Sequence, residues 1–153
     1  MKHLLSALVV MTLFISCTKD KTAPAIDYTA KNEQEIINYI AKNNLTAQRT
    51  SDGLYYVINT QGTGMQPTAA SNVTVAYKGY FTSGTVFDQS PSAGISFGLN
   101  NVIKGWTEGI PYFKAGGSGI LLIPSSLGYG SSDYSGIPGG SVLIFDVNLI
   151  SVN

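Results

Sequence analysis

Cysteine and histidine are nearly absent: the chain has one of each, Cys17 and His3, both close to its first residue. A single cysteine excludes an intramolecular disulfide and a thiolate metal cluster. With no histidine beyond His3, Ser-His and Cys-His nucleophilic pairs and histidine metal sites are excluded for the rest of the chain. Charge is scarce as well. Charged residues make up 12%, and 9 basic side chains balance 9 acidic ones, so there is no basic stripe and no nucleic-acid partner is expected. The longest apolar run, residues 4–15, is too short to cross a bilayer as a helix. Any chemistry must therefore use carboxylates, tyrosines, backbone groups and shape, and no metal or cofactor is expected.

What is present reads as globular. Hydrophobic residues make up 44%, and 17 glycines with 9 tyrosines imply many turns and short strands. The 153 residues accommodate one domain with appendages. Lys2 followed by the run 4–15 and then Cys17 looks like a bacterial lipobox, although Phe14 stands where leucine is more usual. Residues 1–16 then read as a lipoprotein signal peptide, with Cys17 as the lipidated first residue of the processed chain. An ordinary signal peptide with an incidental cysteine is the alternative. Residues 17–28 read as a polar tether, residues 29–50 as a segment built on an N-terminal helix, and residues 51–153 as the main domain.

Along the chain, Asn32 with Glu35 fits a capping box that opens a helix over 32–43, with Ile36, Ile37 and Ile40 as its apolar stripe. This is a packing helix or, alternatively, a dimerisation arm. Residues 54–58 read as a strand after a turn at 51–53. Residues 73–88 organise the rest. Val73, Val75 and Tyr77 alternate with Thr74, Ala76 and Lys78, Ser83-Gly84 reverses the chain, and residues 85–87 return as a second strand that ends on Asp88. Asp88 either caps the next turn or stands at the wall of an apolar pocket. Residues 95–97 form another strand. Asn100 caps a short helix in which Val102, Ile103 and Trp106 share a face, and Gly109 and Pro111 stop it. Trp106 is the only tryptophan, and it lies against the concave side of the sheet. Residues 119–123 form a strand, Tyr129 stands between two glycines, and residues 131–136 form a polar loop. In the last strand, 141–150, Leu143, Phe145, Val147 and Leu149 face in, and Ile144, Asp146 and Asn148 face out. The fold class is α+β: a twisted antiparallel sheet wrapped over one short helix, preceded by an N-terminal helix.

Taken together, these pieces resemble an FKBP-type peptidyl-prolyl cis-trans isomerase. The matching pieces are VAYKG at 75–79, GTVFD at 84–88, Phe97, VIKGW at 102–106, Ile123-Pro124, LGYG at 127–130, Ile137-Pro138 and LIFDV at 143–147. They occur in the family's order over about Leu54 to Val152. The lipobox, tether and leading helix are similar to those of bacterial lipoprotein members. The chain departs from the family pattern in having no basic residue in 90–94, Gly136 where a second aliphatic is common, and Gly139-Gly140 after Pro138.

The resemblance implies an apolar pocket with Trp106 as its floor and Tyr77, Phe97, Val102, Ile103, Ile137 and Phe145 as its walls. Phe87 joins those walls, Asp88 projects at the rim, and Tyr129 offers its hydroxyl to the peptide, and these three are the catalytic candidates. The implied activity is rotation about X–Pro bonds in exported proteins. The implied partners are proline-containing segments, with macrolide inhibitors as further ligands, and the implied location is the bacterial cell envelope, held by the lipid on Cys17. The rival reading is a proline- or hydrophobic-segment binding module of holdase type without turnover. The anchoring expectation has a direct check: labelled fatty acid should enter the wild-type chain and not Cys17→Ser.

Overall fold

The computed structural model describes residues 26–153. The signal-peptide and lipidation readings, and most of the tether, lie outside these residues. Helix α1 spans Thr29–Lys42. Seven strands follow: β1 Gln48–Arg49, β2 Tyr55–Thr60, β3 Asn72–Tyr80, β4 Val86–Gln89, β5 Ile95–Gly98, β6 Gly117–Ile123 and β7 Leu143–Val152. Between β5 and β6 lies the short helix α2, Lys104–Gly109. Every strand pairing is antiparallel, in the order β1-β2-β6-β7-β3-β4, with β5 also pairing β3. The outer edge of β3 is therefore shared: β5 pairs with its first half and β4 with its last. The fold class is the expected one, α+β with an antiparallel sheet over a short helix.

Two apolar layers lie on opposite faces of this sheet. The concave face holds Val73, Val75, Leu121, Ile123, Leu143, Phe145, Val147 and Leu149 against Trp106, Ile110 and Phe113. The alternation expected of β3 and β7 supplies this layer. The convex face carries a second layer in which Ile36 of α1 packs with Tyr55, Val57, Leu122, Val142 and Ile144. Ile144 was expected to face out. It is fully buried instead, because α1 covers the face that a one-layer sheet would leave to solvent. No described helix is long and apolar enough to cross a membrane.

Both helix starts differ from expectation. α1 begins three residues before Asn32, where the Thr29 N–H donates to Asp27 Oδ1 at 2.8 Å. Asn32 is thus an interior helical residue, and its side chain is spent on distant partners instead of a cap. Glu35 does not reach back either: it accepts from the Thr82 hydroxyl at 2.6 Å. Within the apolar stripe Ile36 is fully buried, but Ile37 is 43% exposed and so lies off it. The second helix starts at Lys104, not Val102. Asn100 belongs to a preceding 3-10 turn, Leu99–Asn101, and Val102 and Ile103 are extended.

Ile36 therefore carries the docking of α1. Ile36→Ala should cost about 2–5 kcal/mol by cavity formation, and Ile37→Ala should stay within about 0.5 kcal/mol. Urea unfolding of the two variants separates them.

Candidate functional site: an aromatic cavity floored by Trp106

Helix α2 brings Trp106 to the sheet. Gly105 and Gly109 occupy the helix face that meets β6. A Cβ on Gly105 would stand 2.5 Å from Ile123 and one on Gly109 2.7 Å from Leu121. Their lack of side chains lets α2 settle close, and Trp106 is left 4% exposed. Rings surround it: Tyr77 at 5.0 Å and Phe145 at 5.1 Å meet it edge-on, and Phe97 is tilted at 5.3 Å. Such edge contacts suit the ring quadrupole. The indole N–H has no partner among the described residues.

One wall is made by β3 and β4. Gly79 of β3 pairs with Asp88 and Tyr80 with Val86, so Phe87 is the extra residue of a bulge. In a regular strand Phe87 and Asp88 would point to opposite faces. The bulge re-aims the chain, and both line the same cavity. Phe87 meets Phe145 edge-on at 5.5 Å. Gly79 makes room for that meeting, since a Cβ there would stand 2.7 Å from both rings. The Tyr77 hydroxyl donates to Asp88 Oδ2 at 2.6 Å, the short distance of a charge-assisted bond.

The opposite wall comes from residues 125–137. A 3-10 turn, Ser125–Leu127, is followed by Gly128, and Gly130 has φ +82°, which holds Tyr129 out as a projecting corner. Ser135 and Gly136 both have positive φ and join Tyr134 to Ile137 through two backbone bonds, a two-residue hairpin turn of the primed type. Tyr134 then stacks on Tyr129, with ring centres 4.8 Å apart and planes 10° from parallel.

The cavity between these walls is about 970 Å³ and opens to solvent. All ten candidate pocket residues line it: Tyr77, Phe87, Asp88, Phe97, Val102, Ile103, Trp106, Tyr129, Ile137 and Phe145. Val102 and Ile103 reach it from extended backbone and not from a helix face, as the later start of α2 requires. Cys17 lies outside the described residues. The sequence reading missed Phe81, Tyr134 and the bond between Tyr77 and Asp88. Phe81 was findable, because it continues the inward series Val73, Val75, Tyr77 and Gly79 by one more step of two; its ring lies 5.0 Å from Phe87. Tyr134 lies in a polar loop with no periodicity to mark it.

Asp88 is the only charged side chain among the lining residues. Burial, and then the bond to Asp88, push the Tyr77 hydroxyl well above the usual tyrosine range. Burial also raises Tyr129, helped by Tyr134 and Asp88. Both hydroxyls stay protonated at neutral pH; that of Tyr77 is spent on Asp88, and that of Tyr129 is left as a donor. The arrangement can enclose an apolar ring over Trp106 and present the Tyr129 hydroxyl as a donor at its rim, with no acid or base poised to titrate near neutrality among these tyrosines.

An aromatic well of this form, built on a sheet wrapped over one short helix, defines a class. Residues 64–150 match the family model for FKBP-type peptidyl-prolyl cis-trans isomerase, and the chain belongs to that family. Among its relatives is the FKBP-type peptidyl-prolyl cis-trans isomerase FkpA of Buchnera aphidicola (subspecies Schizaphis graminum), 39% identical over 86% of this chain and 56% of the relative. The Escherichia coli K12 FkpA is 44% identical over 67% of this chain and 39% of the relative. The chain thus spans about half the length of such relatives. The crystal structure of Escherichia coli FkpA superposes with a TM-score of 0.75 at 37% identity, covering 84% of this chain and 61% of that one. A peptidyl-prolyl cis-trans isomerase from Pseudomonas syringae superposes with a TM-score of 0.71 at 30% identity, covering 84% of this chain and 97% of that one.

The tyrosine shifts carry a sign. A hydroxyl whose pKa rises on folding contributes fully below the unfolded value near 10, and the contribution is lost as the unfolded chain ionises above it. The melting temperature should therefore fall above about pH 10, and Tyr77→Phe should fall less steeply than wild type over that window. Equal slopes for the two proteins would contradict the assignment.

Proposed function

We propose that this chain catalyses cis–trans isomerisation of X–Pro bonds, with proline-containing segments of exported proteins as substrates. The observation that carries the reading is the aromatic well itself, a floor and walls of rings with one carboxylate held at the rim by Tyr77. Membership of the isomerase family supports it.

The mechanism needs no bond to be made or broken. The planar X–Pro amide owes its rotational barrier, roughly 18–20 kcal/mol for a peptide bond, to resonance that separates charge between oxygen and nitrogen. On twisting, the nitrogen recovers its lone pair and that separation collapses. A dry cavity that accepts the proline ring over Trp106 disfavours the polar planar form relative to the twisted one. Catalysis is then differential binding of the twisted state. Phe87 and Phe145 fix the ring, Tyr129 donates to the peptide backbone, and Asp88 with Tyr77 orders the rim. The same well is of a size to take macrolide inhibitors.

The proposal extends to the chain's layout. Residues 1–16 are a signal peptide, Cys17 carries lipid, residues 17–28 are a tether, 29–50 a helical segment and 51–153 the isomerase domain. The protein is thereby held at the cell envelope. The apolar run ending at Cys17 supports this part.

Phe87→Ala and Asp88→Ala should each lower turnover of a proline peptide about tenfold, equivalent to about 1.4 kcal/mol of transition-state stabilisation. No solvent isotope effect should appear, because no proton moves. Full activity in both variants would remove the site, and peptide binding without turnover in the wild type would leave a binding module.

A further inference from the structure

Among the described residues only two polar ones are buried, Asn32 and Ser125, and the Asn32 side chain bonds the Ser125 backbone. The Ser125 N–H donates to Asn32 Oδ1 at 2.8 Å. From there a closed path of hydrogen bonds can be traced. The Gly130 N–H donates to the Ser125 carbonyl at 2.8 Å, and the Gly140 N–H donates to the Gly130 carbonyl at 2.9 Å. Asn32 Nδ2 then donates to the Gly140 carbonyl at 2.9 Å and closes the ring. The ring ties together the two ends of the corner that carries Tyr129. It also ties the end of the loop that carries Tyr134 and Ile137.

We propose that Asn32 is a positioning residue of the cavity: one side chain, from outside the 64–150 family region, fixes the wall that bears Tyr129 and Ile137. Neither Asn32 nor its hydrogen-bond partners line the cavity, so it acts through the backbone at Ser125 and Gly140. Its amide is suited to the task because it accepts at one atom and donates at another; an ionised carboxylate only accepts, and an apolar side chain does neither. Asn32 is 1% and Ser125 5% exposed and Gly140 is buried, while Gly130 is partly exposed beside a small cleft, so losing the Asn32 side chain leaves buried partners unpaired at Ser125 and Gly140. Tyr28 packs on Gly140, where its ring occupies the space a Cβ would need. Three residues along α1, Glu35 holds Thr82, in the turn that leads from β3 to Phe87. Helix α1 thereby reaches the backing of both walls from the convex side.

The inference rests on the isomerase reading of the cavity, and the test separates the two. Asn32→Ala, Asn32→Asp and Arg49→Ala are compared with wild type in the full chain. Arg49 pairs with Glu33 of α1 at 3.1 Å, a helix tie that is not part of the ring. Asn32→Ala should speed amide exchange at Gly130 and Gly140 about tenfold and lower kcat/KM about tenfold. Exchange in β2 and β6 should be unchanged. Asn32→Asp keeps the acceptor for Ser125 and should retain slow exchange there while losing the link to Gly140. Arg49→Ala should change neither exchange nor turnover. Wild-type exchange at Gly130 and Gly140 in Asn32→Ala would overturn the proposal. So would an equal rise across β2 and β6, or the same effect from Arg49→Ala. A wild type without turnover would remove the isomerase reading alone. The ring would then be judged on exchange and on the concentration of a proline tetrapeptide needed to change Trp106 fluorescence.

Discussion

The close seating of α2 on β6 is the constraint from which the site follows. A six-residue helix makes too few internal hydrogen bonds to stand alone. It is held by what it buries, and burial requires that its backbone approach the sheet. Gly105 and Gly109 permit this over Ile123 and Leu121, side chains two residues apart on the inward face of β6. The helical spacing of four matches the strand spacing of two, about 6 Å in one case and 7 Å in the other. With the helix so close, Trp106 has nowhere to go but flat into the concavity, and the rings of Tyr77, Phe97 and Phe145 close on it. Enlarging either glycine would lift the floor of the cavity before it touched any wall.

The walls depend on departures from regular structure. The bulge at Phe87 turns two successive residues of β4 toward one space, which an unbroken strand cannot do. The extended backbone at Val102 and Ile103 lays both side chains along the cavity ahead of α2. The primed turn at Ser135-Gly136 folds Tyr134 back onto Tyr129. Each irregularity is local, and each is backed by a regular element: β3 behind the bulge, α2 after the extended pair, and β7 after the turn.

Much of this was legible in the sequence. Strand alternation marked β3 and β7, and the order of VFD, VIKGW and LGYG marked the residues that converge. What was not legible has a common physical cause. Asn32 resembles a cap because a cap is the nearest use for an asparagine before a helical run, but its partners stand 93 and 108 residues away. Ile144 follows the alternation that should expose it, and only the docking of α1 on the convex face buries it. Val102 and Ile103 have helical spacing with Trp106, yet the helix begins after them. For Asn32 and Ile144 a tertiary partner overrode a local rule, and no local rule contains that partner. Phe81 is different: the period of two already pointed to it.

The two faces of the sheet are not independent. A helix of the length of α1, with a single fully buried apolar residue, gains little from its own backbone bonds, so its order comes from docking. The same docking brings Asn32 to Ser125 and Gly140, and Glu35 to Thr82. Those bonds are directional where the burial of Ile36 is not, so burial supplies the attachment and the polar bonds supply the register. The convex face therefore does more than cover apolar surface: it sets where the backbone behind Tyr129 and behind Phe87 must stand, and so the width of a cavity on the opposite side of the sheet.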